Sequence, residues 1–387
     1  MRYSRVHIDA IGYELPPVVV TSQDLEDRLS PVFEELRIPE GQLEAWTGIV
    51  ERRWWEAGYP LSQGAIAAAK KAIQQAGLRP QDIEVLIYAG VCRENFEPAT
   101  ACRVAAGVGV SSEAAVYDIS NACLGVLNGI VDIANRIELG QIQAGLVVSC
   151  ETAREINDIV IERLLSSKNM ELFKSSLATL TGGSGAVAVL LTDGSFSKES
   201  RRRLVGGVTK SAPEHHGLCR WGIEAILPAA VDQIEALLPA ALALTKPKDL
   251  VPTVVAQRIE ELLPARLTPA FTQFMATDSI SVLRFGVDLG LRSWKAFQSR
   301  LGWGMEHIDK VICHQVGSGH RDSILQALGI PHEKEFSTFP YLGNIGTVSL
   351  PLTAALAEER DFLKPGDRVG FLGIGSGLNC LMLGLEW

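Results

Sequence analysis

The segment SQGAIAAAKKAIQQAGLRPQDIEVLIYA, Ser62 to Ala89, spells out one structural unit from end to end. Ala and Ile recurring at helical spacing predict an amphipathic helix over Ser62 to Ala76, and Gly77 closes it. The link LRPQDI then leads into the apolar run Glu84 to Ala89, a buried strand by its length and flanks. The same order returns in the second half of the chain. Asp278 to Leu301 predicts a helix closed by Gly302, followed by WGMEHID and a strand over Lys310 to Cys313. Further strands are expected at Ala115 to Ile119, Ala144 to Ser149, Ala186 to Leu191, Leu204 to Thr209, Arg368 to Leu372 and Cys380 to Leu385.

Helices alternating with buried strands, twice over, point to a duplicated α/β fold. The N-terminal half spans 1–200 and the C-terminal half 201–387, dividing near Asp193 to Arg203, where charge and serine are dense. One stretch fits neither half. Ala229 to Pro269 holds PAAVDQIEALLPAALAL and VVAQRIEELLPARL, two short amphipathic patterns that read as an inserted helical segment at about 229–269. It serves either as extra packing or as a lid over an apolar pocket.

A chain of 387 residues with 47% hydrophobic residues and 36 glycines has material for a large, tightly layered core. Its net charge of −9 offers no general attraction for phosphate polymers, and no basic stripe suggests a nucleic-acid partner. No segment approaches the roughly 18 apolar residues of a membrane span, and MRYSRVHIDAIGYELPP lacks the apolar centre of a signal peptide. Seven cysteines without clustered spacing fit reduced thiols in a cytoplasmic protein, with neither a disulfide framework nor a zinc pattern.

One cysteine differs in context. In YDISNACLGVLNGI, Tyr117 to Ile130, Cys123 stands where a β-prone run passes into a helix. Unpaired backbone N–H groups and the positive end of the helix dipole favour thiolate there. From a free pKa near 8.5, half ionisation at pH 7 needs roughly 2 kcal/mol, about what a helix end supplies, so a nearby imidazole is expected to share the task. Cys102, Cys150, Cys219, Cys313 and Cys380 sit in apolar contexts and read as inert buried thiols. His314, in KVICHQVGSGH, ends a strand at a Gly/Ser turn, the edge where open α/β sheets place ligands, and His320 competes with it from the next turn. Asn344 lies in YLGNIGTVSLP before a helix beginning near Ser349; as a residue between glycines it reads equally well as a turn former. The run GIGSGLN, Gly373 to Asn379, has no helix after it for a pyrophosphate, and reads as a strand-to-strand turn whose amides face a developing oxyanion. TGGSGAVAVLL, from Thr181, serves close packing. Arg52 and Arg53 with Trp54 bring local cations and a stacking face together in an otherwise acidic protein. A surface basic pair beside a core tryptophan is the competing reading.

Together TGIVERRWW from Thr47, SNACLG around Cys123, CHQ at His314, GNIG around Asn344 and the terminal GIGSGLN resemble the thiolase superfamily, in its ketoacyl synthase III branch. The resemblance implies a thiolase-like, duplicated αβαβα five-layer fold. It also implies catalytic roles for Cys123, His314 and Asn344, and oxyanion donors at the backbone N–H groups of Cys123 and Ser376. GVCRENFEPATA narrows it to the olefin-biosynthesis thiolases of the OleA type, which join two long acyl-CoA molecules head to head. That group implies Glu97 as a base entering the partner subunit's site, hence a homodimer, with acyl-CoA as substrate, no separate cofactor and downstream olefin-pathway enzymes as partners; the acyl-CoA makes Arg52, Arg53 and Trp54 the candidate grip for coenzyme A. The segment Ala229 to Pro269 departs from the family pattern.

The choice of base decides the reaction. A decarboxylating synthase obtains its carbanion by losing CO₂ and needs only donors to the enolate. A non-decarboxylating Claisen condensation removes an α-proton and needs a base within reach. By position alone Glu94 is as good a base as Glu97. The rival readings are a ketoacyl synthase III extending a primer with malonyl-acyl carrier protein, a Cys-His-Asn hydrolase, which lacks its CGSCW signature here, and a non-catalytic acyl-CoA binder or scaffold.

Overall fold

The computed structural model describes residues 1–196, 202–226 and 270–387. The expected inserted segment at 229–269, and residues 197–201 of the expected division, lie outside the described residues. The chain forms two compact units, Met1–Arg220 with Ala276–Trp387, and Trp221–Met275.

In the larger unit each expected strand forms, five of the eight two or three residues longer than anticipated. The strands are β1 (His7–Glu14), β2 (Val18–Thr21), β3 (Glu51–Trp54), β4 (Val85–Ala89), β5 (Ala115–Ile119), β6 (Ala144–Glu151), β7 (Gly185–Thr192) and β8 (Arg203–Ser211). After β9 (Cys219–Ile226) and β10 (Ala270–Thr277) come β11 (Lys310–Cys313), β12 (Arg368–Gly375) and β13 (Asn379–Glu386). Among the described residues nine of them form one sheet in the order β11-β12-β13-β8-β1-β7-β6-β4-β5. β1, whose HIDAIGYE alternates too weakly to stand out in the sequence, sits at its centre.

The sheet carries the duplication in its topology. Outward from β1, β7 is antiparallel, β6 antiparallel to β7, and β4 and β5 follow in parallel. Outward from β8, β13 and β12 are antiparallel steps, β11 is parallel to β12, and a lone parallel bridge from Val311 to Glu335 stands where β5 stands in the first half. Both halves of the larger unit also reach their parallel strand in the same way. Helix Leu61–Ala76 ends at Gly77 and a short turn Pro80–Asp82 precedes β4, while helix Ser279–Leu301 ends at Gly302 and a turn Met305–His307 precedes β11.

Two helices, Gly125–Glu138 and Ser349–Glu359, form the layer between the half-sheets. A Cβ at Gly129 would lie 2.7 Å from Val147 of β6, while one at Gly373 of β12 would lie 2.5 Å from Leu127, so the first helix touches both halves. Ile130, Ile133, Leu350, Leu352, Val147, Val187, Val369 and Phe371 share one buried cluster that spans the unit. Helices Leu61–Ala76 and Thr100–Val108 cover the outer face of one half-sheet, and Ser279–Leu301 covers the other. This is the αβαβα layering of a thiolase-like fold. In the smaller unit, parts of β9 and β10 pair as a ribbon in which Trp221 Nε1 donates to Gln273 Oε1 at 3.1 Å. No helix among the described residues is long and apolar enough to cross a membrane.

Candidate active site

β5 ends at Ile119 and the chain turns through Ser120, Asn121 and Ala122 before the helix starts at Gly125. Ala122 holds a left-handed φ of 45°, a conformation unfavourable for a residue with a Cβ, so the surrounding structure imposes this turn. Leu124 N donates to Asn121 O at 2.9 Å and Gly125 N to Ala122 O at 3.2 Å, coiling the turn around Cys123. Cys123 therefore sits before the helix rather than in its first turn. All seven thiols are free, and Cys123 is half-buried. Cys92, Cys150, Cys313 and Cys380 are buried as apolar filler, but Cys102 is exposed and Cys219 half-buried, contrary to the expectation of burial for both.

The oxyanion turn comes to this thiol from the other half. β12 and β13 are joined by Ser376–Leu378, and a Cβ on Gly375 would lie 3.4 Å from Cys123 N and 3.5 Å from Cys123 Cβ. Leu378 is tied to Ala212 in both directions, at 2.8 and 3.1 Å. Neither Cys123 N–H nor Ser376 N–H donates to another described residue. Two unspent backbone donors thus flank the nucleophile turn.

His314 follows β11, its N–H donating to Leu372 O of β12 at 2.9 Å. Burial, reinforced by the neighbouring His320, pushes its imidazole down to about 4, so it is neutral at pH 7, with one N–H and one lone pair. Asn344 is pinned like a short strand beside Gly182: its N–H donates to Thr181 O at 2.9 Å and its carbonyl accepts from Gly183 N at 2.9 Å. Its Oδ1 accepts from Gly346 N at 3.1 Å, which leaves the side-chain NH₂ as the outward donor. Gly343, at φ 67°, packs so tightly that a Cβ would lie 2.5 Å from Thr181 O, and a methyl on Gly183 would overlap Leu342 O. The TGGSG glycines thus serve the close packing expected of them, against the turn that carries Asn344.

Charge at Cys123 differs from the expectation. The thiol is pushed up to about 12, first by burial and then by Cys219 and Glu151, and its own backbone hydrogen bond only partly offsets this. Desolvation outweighs the helix end because the sulfur is one residue further from the helix, and the imidazole expected to help carries no charge.

The loop from Val91 to Ala99 is tied down by three carboxylates. Glu151, 4% exposed, accepts from Val91 N at 2.9 Å and Cys92 N at 3.1 Å. Glu94 accepts from Ser62 N at 2.8 Å and Ser62 Oγ at 2.7 Å and pairs with Arg103 at 3.0 Å. Asp118 caps the next helix through Thr100 N and Ala101 N, at 2.9 and 2.8 Å. Glu94 is therefore fully used. Glu97 stands exposed at the tip, without a hydrogen bond to any described residue, beside a Phe96 that is 90% exposed.

Comparison with known proteins agrees with this geometry. Residues 61–176 match the thiolase N-terminal domain and residues 299–387 the 3-oxoacyl-[acyl-carrier-protein] synthase III C-terminal domain. The chain is 52% identical to an acyl-CoA:acyl-CoA alkyltransferase of Shewanella oneidensis, over 100% of both chains. It is 31% identical to the enzyme of the same description from Xanthomonas campestris, again over 100% of both. A crystal structure of a cysteine-to-alanine variant of Xanthomonas campestris OleA superposes with a TM-score of 0.84 at 31% identity, covering 100% of this chain and 98% of that one. The chain belongs to the OleA family. Within the thiolase superfamily this places it beside the ketoacyl synthase III enzymes, as the motifs implied.

Against that family frame, the coenzyme A candidates need correction. In β3 the side chains alternate, and Arg52 and Trp54 point inward, 1% and 3% exposed. Trp54 Nε1 donates to Gly182 O at 3.0 Å, so its ring offers no face to a nucleotide. Arg52 Nη2 donates to Ser22 Oγ at 3.1 Å, and burial lowers its guanidinium to about 10. Only Arg53 is partly open, bonded to Pro16 O at 3.4 Å.

Other residues that hold this OleA-family site together carry no catalytic signature and were not singled out in the sequence. Gln315 Oε1 accepts from Thr338 N and Phe339 N at 2.6 and 2.8 Å, and its Nε2 donates to Phe336 O at 2.7 Å, so it clamps the His314 strand end to the segment leading to Asn344. Thr347 Oγ1 accepts from Val126 N at 2.8 Å, locking the Asn344 turn to the start of the nucleophile helix. Asn121 and Asn379 join the two turns directly.

Proposed function

We propose that this protein condenses two long-chain acyl-CoA thioesters head to head, without decarboxylation, to a β-keto thioester or acid for long-chain olefin formation. The observation that carries the reading is the loop tip. Three carboxylates of its surroundings are consumed in anchoring it, while Glu97 is left free at the tip beside Phe96, which is 90% exposed. Both features fit a tip that enters the active site of a second copy in a homodimer.

In the proposed mechanism Cys123 Sγ attacks the first thioester carbonyl, its proton passes by way of the neutral His314 to the leaving CoA sulfur, and the acyl group rests on Cys123. Glu97 carboxylate then removes the α-proton of the second acyl-CoA, and His314 N–H with the free NH₂ of Asn344 holds the enolate oxygen. The carbanion attacks the acyl-cysteine, whose oxygen takes the N–H groups of Cys123 and Ser376. Collapse breaks the C–S bond, and the proton held by Glu97 returns to the cysteine. Two acyl-CoA give one β-ketoacyl-CoA and one CoA, and hydrolysis of that thioester gives the acid. The scheme calls on no cofactor. A crystal structure of a cysteine-to-serine variant of Xanthomonas campestris OleA holds lauric acid and lauroyl-CoA, which supports acyl-CoA as the substrate class.

The test is incubation of the purified protein with myristoyl-CoA alone, reading intact mass and products. Wild type gains an acyl mass on Cys123 and forms a β-keto product, Cys123→Ser gains none, and Glu97→Gln acylates but loses the product, its acyl-enzyme draining by hydrolysis. The match of residues 299–387 to a synthase III domain favours one second reading, a decarboxylating ketoacyl synthase. Turnover only with a malonyl substrate and release of CO₂ would establish it instead.

A further inference from the structure

The two turns that face each other at the thiol are joined by a chain of side-chain amides. Asn121 Nδ2 donates to Asn128 Oδ1 at 2.8 Å, which fixes the orientation of the Asn121 amide and turns its Oδ1 the other way. That oxygen accepts from Asn379 Nδ2 at 3.1 Å. The same Asn379 nitrogen reaches Ser376 O at 3.4 Å, and a Cβ at Gly377 would overlap the Asn379 amide, so the turn is folded closely over this side chain. Asn121 is two residues before Cys123 in the nucleophile turn, and Asn379 is three residues after Ser376 in the oxyanion turn. The Asn121–Asn379 bond thus crosses from one half of the duplication to the other at the point where the two unspent N–H groups meet.

We propose that Asn121 and Asn379 are a positioning pair that sets the distance and aim of the Cys123 and Ser376 N–H groups toward the reacting oxygen. The inference rests on the acyl-enzyme reading above. Two donors on separate turns stabilise an oxyanion only if their spacing is held before charge develops. Leu378 fixes the back of the oxyanion turn through Ala212, and among the described residues Asn379 is the side chain that bonds both Ser376 O and the nucleophile turn. Neither asparagine touches substrate in this scheme; both act through backbone groups.

The test uses the full-length enzyme and myristaldehyde as a probe of the tetrahedral state. The Cys123 sulfur bonds to the aldehyde carbon, and the thiol proton passes to the former carbonyl oxygen, which then lies at the two N–H groups. For Asn379→Asp, which sets an acceptor against Asn121 Oδ1 and Ser376 O, and for Asn121→Ala, acylation by myristoyl-CoA should slow by about 30-fold or more. Aldehyde affinity should fall in the same proportion, while inhibition by free CoA stays within about twofold of wild type. The double variant Asn121→Ala with Asn379→Asp should be no worse than the poorer single variant, because each change already breaks the shared Asn121–Asn379 bond. Unchanged aldehyde affinity in variants that fold, or losses that multiply in the double variant, would overturn the pair. The two single variants reach the same bond independently, so if one fails to fold the other decides. A wild type that takes neither acyl group nor aldehyde on Cys123 overturns the condensing-enzyme reading, and the pair with it.

Discussion

At the scale of single residues, the site in its substrate-free state keeps its nucleophile protonated. Burial holds Cys123 up at about 12 and His314 down at about 4, so thiol and imidazole are both neutral at pH 7. Little thiolate is then present at pH 7. A raised thiol pKa makes reactivity climb with pH through the whole accessible range, since each unit multiplies the thiolate about tenfold until the pKa is reached. Alkylation of Cys123 by iodoacetamide, followed by peptide mass mapping, should accelerate log-linearly from pH 7 to pH 10. A plateau below pH 9 would show a thiolate stabilised in the resting enzyme, as helix position alone suggests. The resting thiol is protected from oxidation for the same reason, and proton transfer belongs to the acylation step.

At the scale of elements, the candidate catalytic side chains sit on strand ends and turns, and residues with no chemistry of their own hold several of these turns. Gln315 is the clearest case. It is 4% exposed and gives its carbonyl oxygen to two backbone N–H groups of the Thr338 segment while its nitrogen serves Phe336 O. Gln315→Leu keeps most of the volume but leaves buried donors at Thr338 and Phe339 without acceptors. The expected cost is about 3 kcal/mol of stability in urea unfolding, because each orphaned buried donor forfeits its desolvation as well as its bond. A loss below about 1 kcal/mol would mean that the segment is held by packing alone. The three carboxylates under the Glu97 loop follow the same logic: Glu151, Glu94 and Asp118 fix the base of the loop so that its tip keeps one orientation.

At the scale of the whole molecule, the proposed reaction takes its nucleophile, Cys123, from a half-buried turn and its base, Glu97, from an exposed loop tip. If the base acts across a two-fold interface, mixing two inactive variants restores function. Cys123→Ala chains co-expressed with Glu97→Gln chains should recover up to about a quarter of wild-type condensation, the yield of random pairing in which half of the dimers hold one intact site of two. No recovery in co-purified heterodimers would place base and nucleophile in the same chain.

Much of this architecture was legible in residue order, because helix and strand periods are local properties. The helix–glycine–link–strand unit of Ser62 to Ala89 and its counterpart from Asp278 formed as read, and so did the strands that end at the Cys123 and His314 turns. The sequence by itself therefore determined the alternation of helix and strand in two halves, and its family motifs implied the layering and singled out Cys123, His314 and Asn344 as candidates. Tertiary structure alone decided what depends on distant neighbours. Arg52 and Trp54 look like a cationic, aromatic mouth in one dimension and are core residues in three, because strand alternation and the packing of β3 turn them inward. The thiol's charge was set by desolvation, which no local pattern records. The tie between Asn121 and Asn379, 258 positions apart, exists only because the two halves fold face to face.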